Sequence, residues 1–165
     1  MEKGLTLIEL LVAISIVGIL VGIALPSFFA QASRARQAEA RLIVGSMNQA
    51  QQAYFAEQGN FVLNPARIGE LGVSIVESQN YRYSLMTIGN DGIKSVGNLA
   101  IPKSQDLRGY VGGVALVYVG GSPQAMSVLC ESQKAGQVID LRNIRVTDGK
   151  DTGSGSVECG EGART

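Results

Sequence analysis

The sequence predicts an α+β protein in which one long N-terminal helix, membrane-spanning in its first half, packs in its second half against a small antiparallel sheet. Three observations predict it. After Glu9 no charge occurs until Arg34, an uncharged run of about 24 residues that as a helix would extend roughly 36 Å, enough to cross a hydrocarbon core of about 30 Å. From Arg34 to Gln58 charged and apolar residues interleave with helical spacing. Beyond Asn60 the chain breaks into short apolar runs separated by turn residues. Its 21 glycines and lack of Trp suit strands and turns better than a helical bundle.

The first element is the apolar helix. Glu9 lies near its outer end, where a charge is costly and an ionisable residue is by default a functional hypothesis. The plainer alternative is an acid placed favourably on the positive end of the helix dipole. Only Met1-Glu2-Lys3-Gly4 precede the apolar stretch, too few residues for a secretory n-region and h-region. Gly18 and Gly22 have the Gly-x-x-x-Gly spacing that lets helices approach closely. Pro26 withholds one backbone hydrogen bond and bends the axis, but Ser27 to Ser33 continue with good helix formers. A flexible membrane helix with no fixed partner also satisfies these residues.

In the second half, Arg34, Arg36, Glu39 and Arg41 alternate with Ala35, Ala38 and Leu42. Ile43, Met47, Ala50 and Tyr54 follow the spacing of one buried stripe, with Gln49, Gln51 and Gln52 mostly off it. Gly59 supplies the stop, so one helix from Leu5 to Gln58 would be on the order of 80 Å long. Arg34, Arg36 and Arg41 read as a solvated face or as contacts for anionic lipid.

Asn60 to Asn80 reads as a connecting loop, with Pro65, Gly69 and Gly72 around one short helix near Pro65 to Leu71. Tyr54, Phe55 and Phe61 read as core. Tyr81 to Leu85 alternates with period two, as a half-buried strand does. Asn90-Asp91-Gly92 signals a turn into a strand at Ile93 to Gly97. Val114 to Val119, between Gly112-Gly113 and Gly120-Gly121, is the clearest strand, and Ala125 to Cys130 is the next. After Asp148 the composition is that of a flexible loop.

The stretch Gly4-Leu5-Thr6-Leu7-Ile8-Glu9-Leu10, followed by an apolar helix with Gly18, Gly22 and Pro26, resembles the class III signal of type IV prepilins and pseudopilins. That signal is a short charged leader ending in Gly, cut just after it, with Glu five residues beyond the Gly. Leu5 stands where Phe is most frequent, and Glu2 makes the leader less basic than usual. A second stretch, Gln51 to Phe61, is similar to the end of the spine helix in the pilin-like proteins common in cyanobacteria, where an aromatic pair, an acid and Gly-x-Phe close the helix.

The resemblance implies the type IV pilin fold, divided into a leader (1–4), a transmembrane and assembly helix (5–33) and a globular head (34–165). It implies cleavage between Gly4 and Leu5 and N-methylation of the new Leu5 amine. Glu9 would pair with the Leu5 amine of a neighbouring subunit, setting axial register, and Gly18 to Pro26 would melt locally on assembly. The implied partners are sister pilin subunits, the inner membrane, a prepilin peptidase/methylase and a pilus platform protein, driven by a cytoplasmic ATPase. The implied location is the inner membrane first and a surface filament afterwards. The competing reading within the family is a minor pilin or a type II secretion pseudopilin, whose filament stays in the envelope.

Cys130 and Cys159, widely separated in a chain with an export-type N-terminus, read as one disulfide, with two reduced core thiols as the alternative. A disulfide closing that loop would stabilise the head by roughly 3–4 kcal/mol on the chain-entropy model. There is no His, which removes the commonest general base and metal ligand and argues against an enzyme. A membrane-anchored binding module remains the competitor from another class. Net charge is zero and the pI about 6.3, so no global basic field draws in nucleic acid. Asp148-Gly149-Lys150-Asp151 has too few ligands for calcium, and the paired glycines lack the Lys-Ser/Thr of a phosphate loop. Asp140, Arg142 and Arg145 read as surface charges. No cofactor is expected.

Overall fold

Helix α1 runs from Leu7 to Gln58, with Pro26 inside it. It stops where Gly59 takes a left-handed φ of 69° and returns its N–H to the Phe55 carbonyl at 2.8 Å, a conformation that favours glycine. The Lys94 ammonium donates to the Gly59 carbonyl at 2.9 Å, placing a cation at the negative end of the helix dipole. The computed structural model describes residues 6–73, 78–88, 94–140 and 144–165, and the chain divides into two units, Met1–Ala35 and Arg36–Thr165.

In the second unit a 3-10 helix, Pro65–Leu71, follows α1, opened by the Asn64 side chain accepting from the Ala66 N–H. Then come β1 (Tyr81–Thr87), β2 (Ser95–Pro102), β3 (Tyr110–Val119) and β4 (Ser122–Ser132). β5 (Ile144–Thr147), β6 (Ser156–Cys159) and β7 (Ala163–Arg164) complete the described strands. One sheet has the order β1-β2-β3-β4-β7, antiparallel throughout, and β5-β6 form a separate pair.

The sheet is covered on both faces. Ala40, Val44 and Met47 of α1 pack on Tyr81, Leu85, Val96, Ala100, Tyr110 and Val114. The alternate residues Leu99, Val111, Ala115 and Val117 join Ile139, Ile144 and Val157 on the opposite side. This explains two differences from the sequence expectation. β2 continues past Gly97 to Pro102, and β3 begins at Tyr110 rather than after Gly113. A strand buried on both faces loses the period-two signal, and glycine inside it marks close approach rather than an end. At Gly112 the close approach is to α1, where a Cβ would fall within 2.6 Å of Asn48 Cγ.

Gly120 and Gly121, both at positive φ, form the two-residue turn between β3 and β4. Pro123 in β4 is tolerated because its partner Tyr118 turns its N–H away, to the Asp148 carbonyl, and accepts from the Gly155 N–H. The tail expected to be a loop therefore contains strand β6, paired with β5, and β7, paired with Glu131 and Ser132.

The buried stripe of α1 also differs from expectation. It is Ala40, Val44, Met47, Asn48 and Gln51, with Ile43, Ala50 and Tyr54 at its margin. Gln51 lies inside because its carboxamide donates to the Val62 carbonyl at 2.8 Å and accepts from the Val62 N–H at 2.9 Å. Gln52 donates to the Ala125 carbonyl at 2.8 Å, and Gln49 is exposed as expected. The 3-10 helix falls on Pro65–Leu71 as predicted. The turn expected at Asn90-Asp91-Gly92, the residue Ile93 and the residue Arg142 lie outside the described residues. Asp140 and Arg145 are exposed.

Candidate functional site

In the first unit, α1 from Leu10 to Phe29 is apolar around its whole circumference. Its large side chains are exposed from Leu7 (83 %) to Leu25 (44 %), and Phe28 and Phe29 likewise. The helix is long and apolar enough to cross a membrane, and a helix apolar all round belongs in a membrane or inside a larger packed body. The two hydroxyls in this stretch find acceptors within the helix itself: Ser15 donates to the Leu11 carbonyl and Ser27 to the Ala24 carbonyl. Pro26 has no N–H to offer the Gly22 carbonyl four residues back. A Cβ added at Gly18 or Gly22 would meet no atom within 4 Å, so both glycines present bare backbone along the apolar surface.

Glu9 lies in the first turn. Its Oε2 accepts from the Thr6 main-chain N–H at 2.8 Å and from the Thr6 hydroxyl at 2.7 Å, while the Glu9 N–H points back to Thr6 Oγ1 at 3.4 Å. This is a capping box, in which an N-cap residue and the acid three positions on satisfy each other's donors. Thr6 was not among the residues singled out from the sequence, although Thr-x-x-Glu before an apolar run is its signature. Gly4 and Leu5 lie outside the described residues.

In the head, Cys130 near the end of β4 and Cys159 at the end of β6 form a disulfide, with Cα atoms 5.7 Å apart. It ties the two-stranded pair to the main sheet. The neighbouring Glu131 has a side chain only 10 % exposed and is shared by three arginines: Arg41 of α1 at 2.6 Å, Arg164 of β7 at 2.8 Å and Arg108 at 3.0 Å. Burial opposes ionisation of Glu131, but the hydrogen bond and charge of Arg164, with the charges of Arg41 and Arg108, outweigh it and hold the carboxyl below the usual range. Arg41 is thus not simply one of a solvated row with Arg34 and Arg36. No spacing in the sequence marks this cluster, because its members are brought together by the sheet register and the docking of α1.

An apolar helix carrying, on its second half, a disulfide-closed antiparallel sheet is the architecture of a type IV pilin. Residues 37–160 match the family described as type IV pilin-like G and H, and residues 1–25 match the prokaryotic N-terminal methylation motif. The chain belongs to the type IV pilin-like family. It is 29 % identical over 102 residues to the type IV major pilin protein PilA of Myxococcus xanthus, covering 61 % of this chain and 45 % of the relative. Over 94 residues it is 32 % identical to the fimbrial protein EcpC of Eikenella corrodens, 56 % of this chain and 60 % of that one. Over 69 residues it is 38 % identical to the type IV major pilin protein PilE1 of Neisseria gonorrhoeae, 42 % of each. The chain thus spans about half the length of the relatives it matches. No solved structure matches it.

Proposed function

We propose that this chain is a structural subunit of a type IV pilus, held in the inner membrane by its N-terminal helix and then polymerised into a surface filament through that helix. The observation that carries the reading is the exposed apolar surface from Leu7 to Phe29, interrupted by one acid at its start. Such a surface requires lipid before assembly and the helices of other copies after it. The names of the relatives, major pilins and fimbrial proteins, support the same reading.

In this reading residues 1–4 are a leader removed by a prepilin peptidase, which also methylates the Leu5 amine. Residues 5–33 are the assembly helix and 34–165 the head that forms the filament surface. In an apolar surrounding an unpaired carboxylate or ammonium costs several kcal/mol. Pairing Glu9 of an arriving copy with the Leu5 amine of its neighbour removes both costs together and fixes the axial step. Gly18, Gly22 and Pro26 provide the stretch where the helix packs closely or unwinds. A platform membrane protein and a cytoplasmic ATPase drive the addition.

The test is to shear filaments from cells and measure the mass of this protein's N-terminal peptide. A peptide beginning at methylated Leu5 in the sheared fraction is the expected result. A processed chain confined to the envelope would point to a pseudopilin, and an unprocessed chain retained in the membrane would overturn the filament reading.

A further inference from the structure

Two groupings of arginine with glutamate in the head are built differently. Arg67 meets Glu70 with two nitrogens, Nε donating to Oε1 at 2.6 Å and Nη2 to Oε2 at 2.7 Å. That bidentate pair is closed, one cation matched to one anion. At Glu131 each arginine gives the carboxylate a single nitrogen. Arg41 Nη2 donates to Oε2 at 2.6 Å, while Arg164 Nη2 and Arg108 Nη1 donate to Oε1 at 2.8 Å and 3.0 Å. Among the described residues, Glu131 is the only carboxylate within ion-pairing distance of these three. Arginine stays charged, and the burial that opposes ionisation of Glu131 is outweighed by the arginines. Three cations therefore face one anion, a local excess of two positive charges in a chain whose net charge is zero.

The excess is both held in place and open to solvent. The Arg41 guanidinium lies 5.7 Å from the centre of the Tyr110 ring, and Arg108 also donates to the Ser132 carbonyl at 3.1 Å. The Glu131 side chain is 10 % exposed, whereas those of Arg41 and Arg164 are 52 % and 56 % exposed. A guanidinium has five N–H donors, so Arg41 and Arg164 keep most of theirs for a ligand. Cations already ordered by a buried acid lose little freedom when an anion arrives. We propose that Arg41, Arg164 and Arg108, gathered on Glu131, bind a phosphate group in its dianionic form, free or as a monoester, at the surface of the head. A phosphate monoester carries a charge of about −1.5 to −2 at pH 7 and presents three acceptor oxygens. That charge matches the excess, and the planar guanidinium fork fits phosphate bidentately. A carboxylate, with one charge, leaves one cation unmatched. The site belongs to the single head and does not rest on the pilus-subunit reading.

The test is NMR of the arginine side-chain N–H resonances of the full chain in nonionic detergent micelles at constant ionic strength. Inorganic phosphate, glycerol phosphate and acetate are titrated separately. Arg41, Arg108 and Arg164 should shift saturably with either phosphate, at least roughly tenfold more tightly than with acetate, the scale of one charge-assisted hydrogen bond. Tighter binding of glycerol phosphate would make the ligand an ester, and tighter binding of inorganic phosphate would make it the free ion; both uphold the proposal. Arg41→Gln and Arg164→Gln should each weaken phosphate binding roughly tenfold or more, while Arg67→Gln, at the closed pair, should leave it unchanged. The amide resonances of β3 and β4 check the fold, and if Arg41→Gln does not fold, Arg164→Gln on the two-residue β7 carries the test. The absence of any saturable shift would overturn the proposal. So would acetate binding as tightly as phosphate, which would point to a carboxylate of a second copy. Equal weakening by Arg67→Gln would overturn it too, since it would show general charge screening in place of a site.

Discussion

The two halves of helix α1 satisfy their side chains in opposite ways. From Leu7 to Phe29 the large apolar groups stay exposed, whereas from Ala40 to Gln51 the stripe Ala40, Val44, Met47, Asn48 and Gln51 is no more than 4 % exposed. The polar groups divide along the same line. Glu9 is held by Thr6, three residues away, and Ser15 and Ser27 bond within their own turns. Asn48, Gln51 and Gln52 instead bond the backbone at Val128, Val62 and Ala125, and Glu131 gathers arginines from 23, 33 and 90 residues away. A segment whose polar groups close on themselves can exchange one surrounding for another at little cost. A segment whose polar groups are committed to distant backbone is fixed in one place.

The largest effect should come from forcing the fixed half off the sheet. Gly112→Val places side-chain atoms where the Asn48 carboxamide lies, and both Asn48 and its partner Asn98 are buried. We expect a loss of about 3 kcal/mol or more, the scale of severe overpacking combined with buried groups left unpaired. Urea denaturation in mild detergent would show it, followed by the fluorescence of the five tyrosines, all of which lie in the head. The counterpart in the free half is Gly22→Ala, which meets no atom within 4 Å and replaces glycine with a better helix former by roughly 0.5–1 kcal/mol. It should leave the denaturation midpoint unchanged. A similar loss from both substitutions would break the comparison.

How much of this was legible in the sequence follows the same division. The free half was legible as a long apolar helix, because composition and length alone define it, and the Pro65–Leu71 helix was marked by Pro65 with Gly72 beyond it. The head was legible where a strand alternates, as at Tyr81 to Leu85, or is a β-branched run, as at Val114 to Val119, and illegible in the buried pieces beside glycine, as at Asn98 to Pro102 and Tyr110 to Gly113. Gln51 was placed off the stripe because periodicity counts a carboxamide as polar, although two hydrogen bonds to Val62 make it a core residue. Thr6 had a local signature that was available and unused. The arginines around Glu131 had none, since residues 41, 108 and 164 meet only through tertiary structure.

A smaller effect sharpens the comparison at Gln51. Gln51→Leu keeps the apolar contacts of the stripe but leaves the Val62 N–H and carbonyl, in a residue only 2 % exposed, without their partner. We expect about 2 kcal/mol of destabilisation, read from the same denaturation midpoints. Gln49→Leu, on an exposed position of the same helix, should fall within roughly 0.5 kcal/mol of the parent. If Gln51→Leu is neutral, burial of this stripe is driven by apolar contact alone and its carboxamides are incidental.

The smallest effect is one of pH, and it tests the two carboxylates that stand for the two halves. Arg164, Arg41 and Arg108 outweigh the burial of Glu131 and lower its pKa in the folded chain. A group depressed in this way contributes stability that is complete above its unfolded pKa, about 4.3 for Glu, and is lost as pH falls through the lower folded value. Removing the charge should therefore cost roughly 1–2 kcal/mol near neutral pH, the scale of charge-assisted hydrogen bonds at a partly screened site. The gap between the parent and Glu131→Gln should hold down to about pH 5 and close progressively below about pH 4. Other carboxyls titrate in both proteins, so the difference between the two midpoint curves isolates Glu131. Glu9→Gln should leave the head's pH profile where it was, because the Glu9 hydrogen bonds stay within the first turn of α1. Parallel curves for the parent and Glu131→Gln down to about pH 3 would mean that the arginines do not fix this carboxylate, and that β7 and α1 are held to β4 by packing alone.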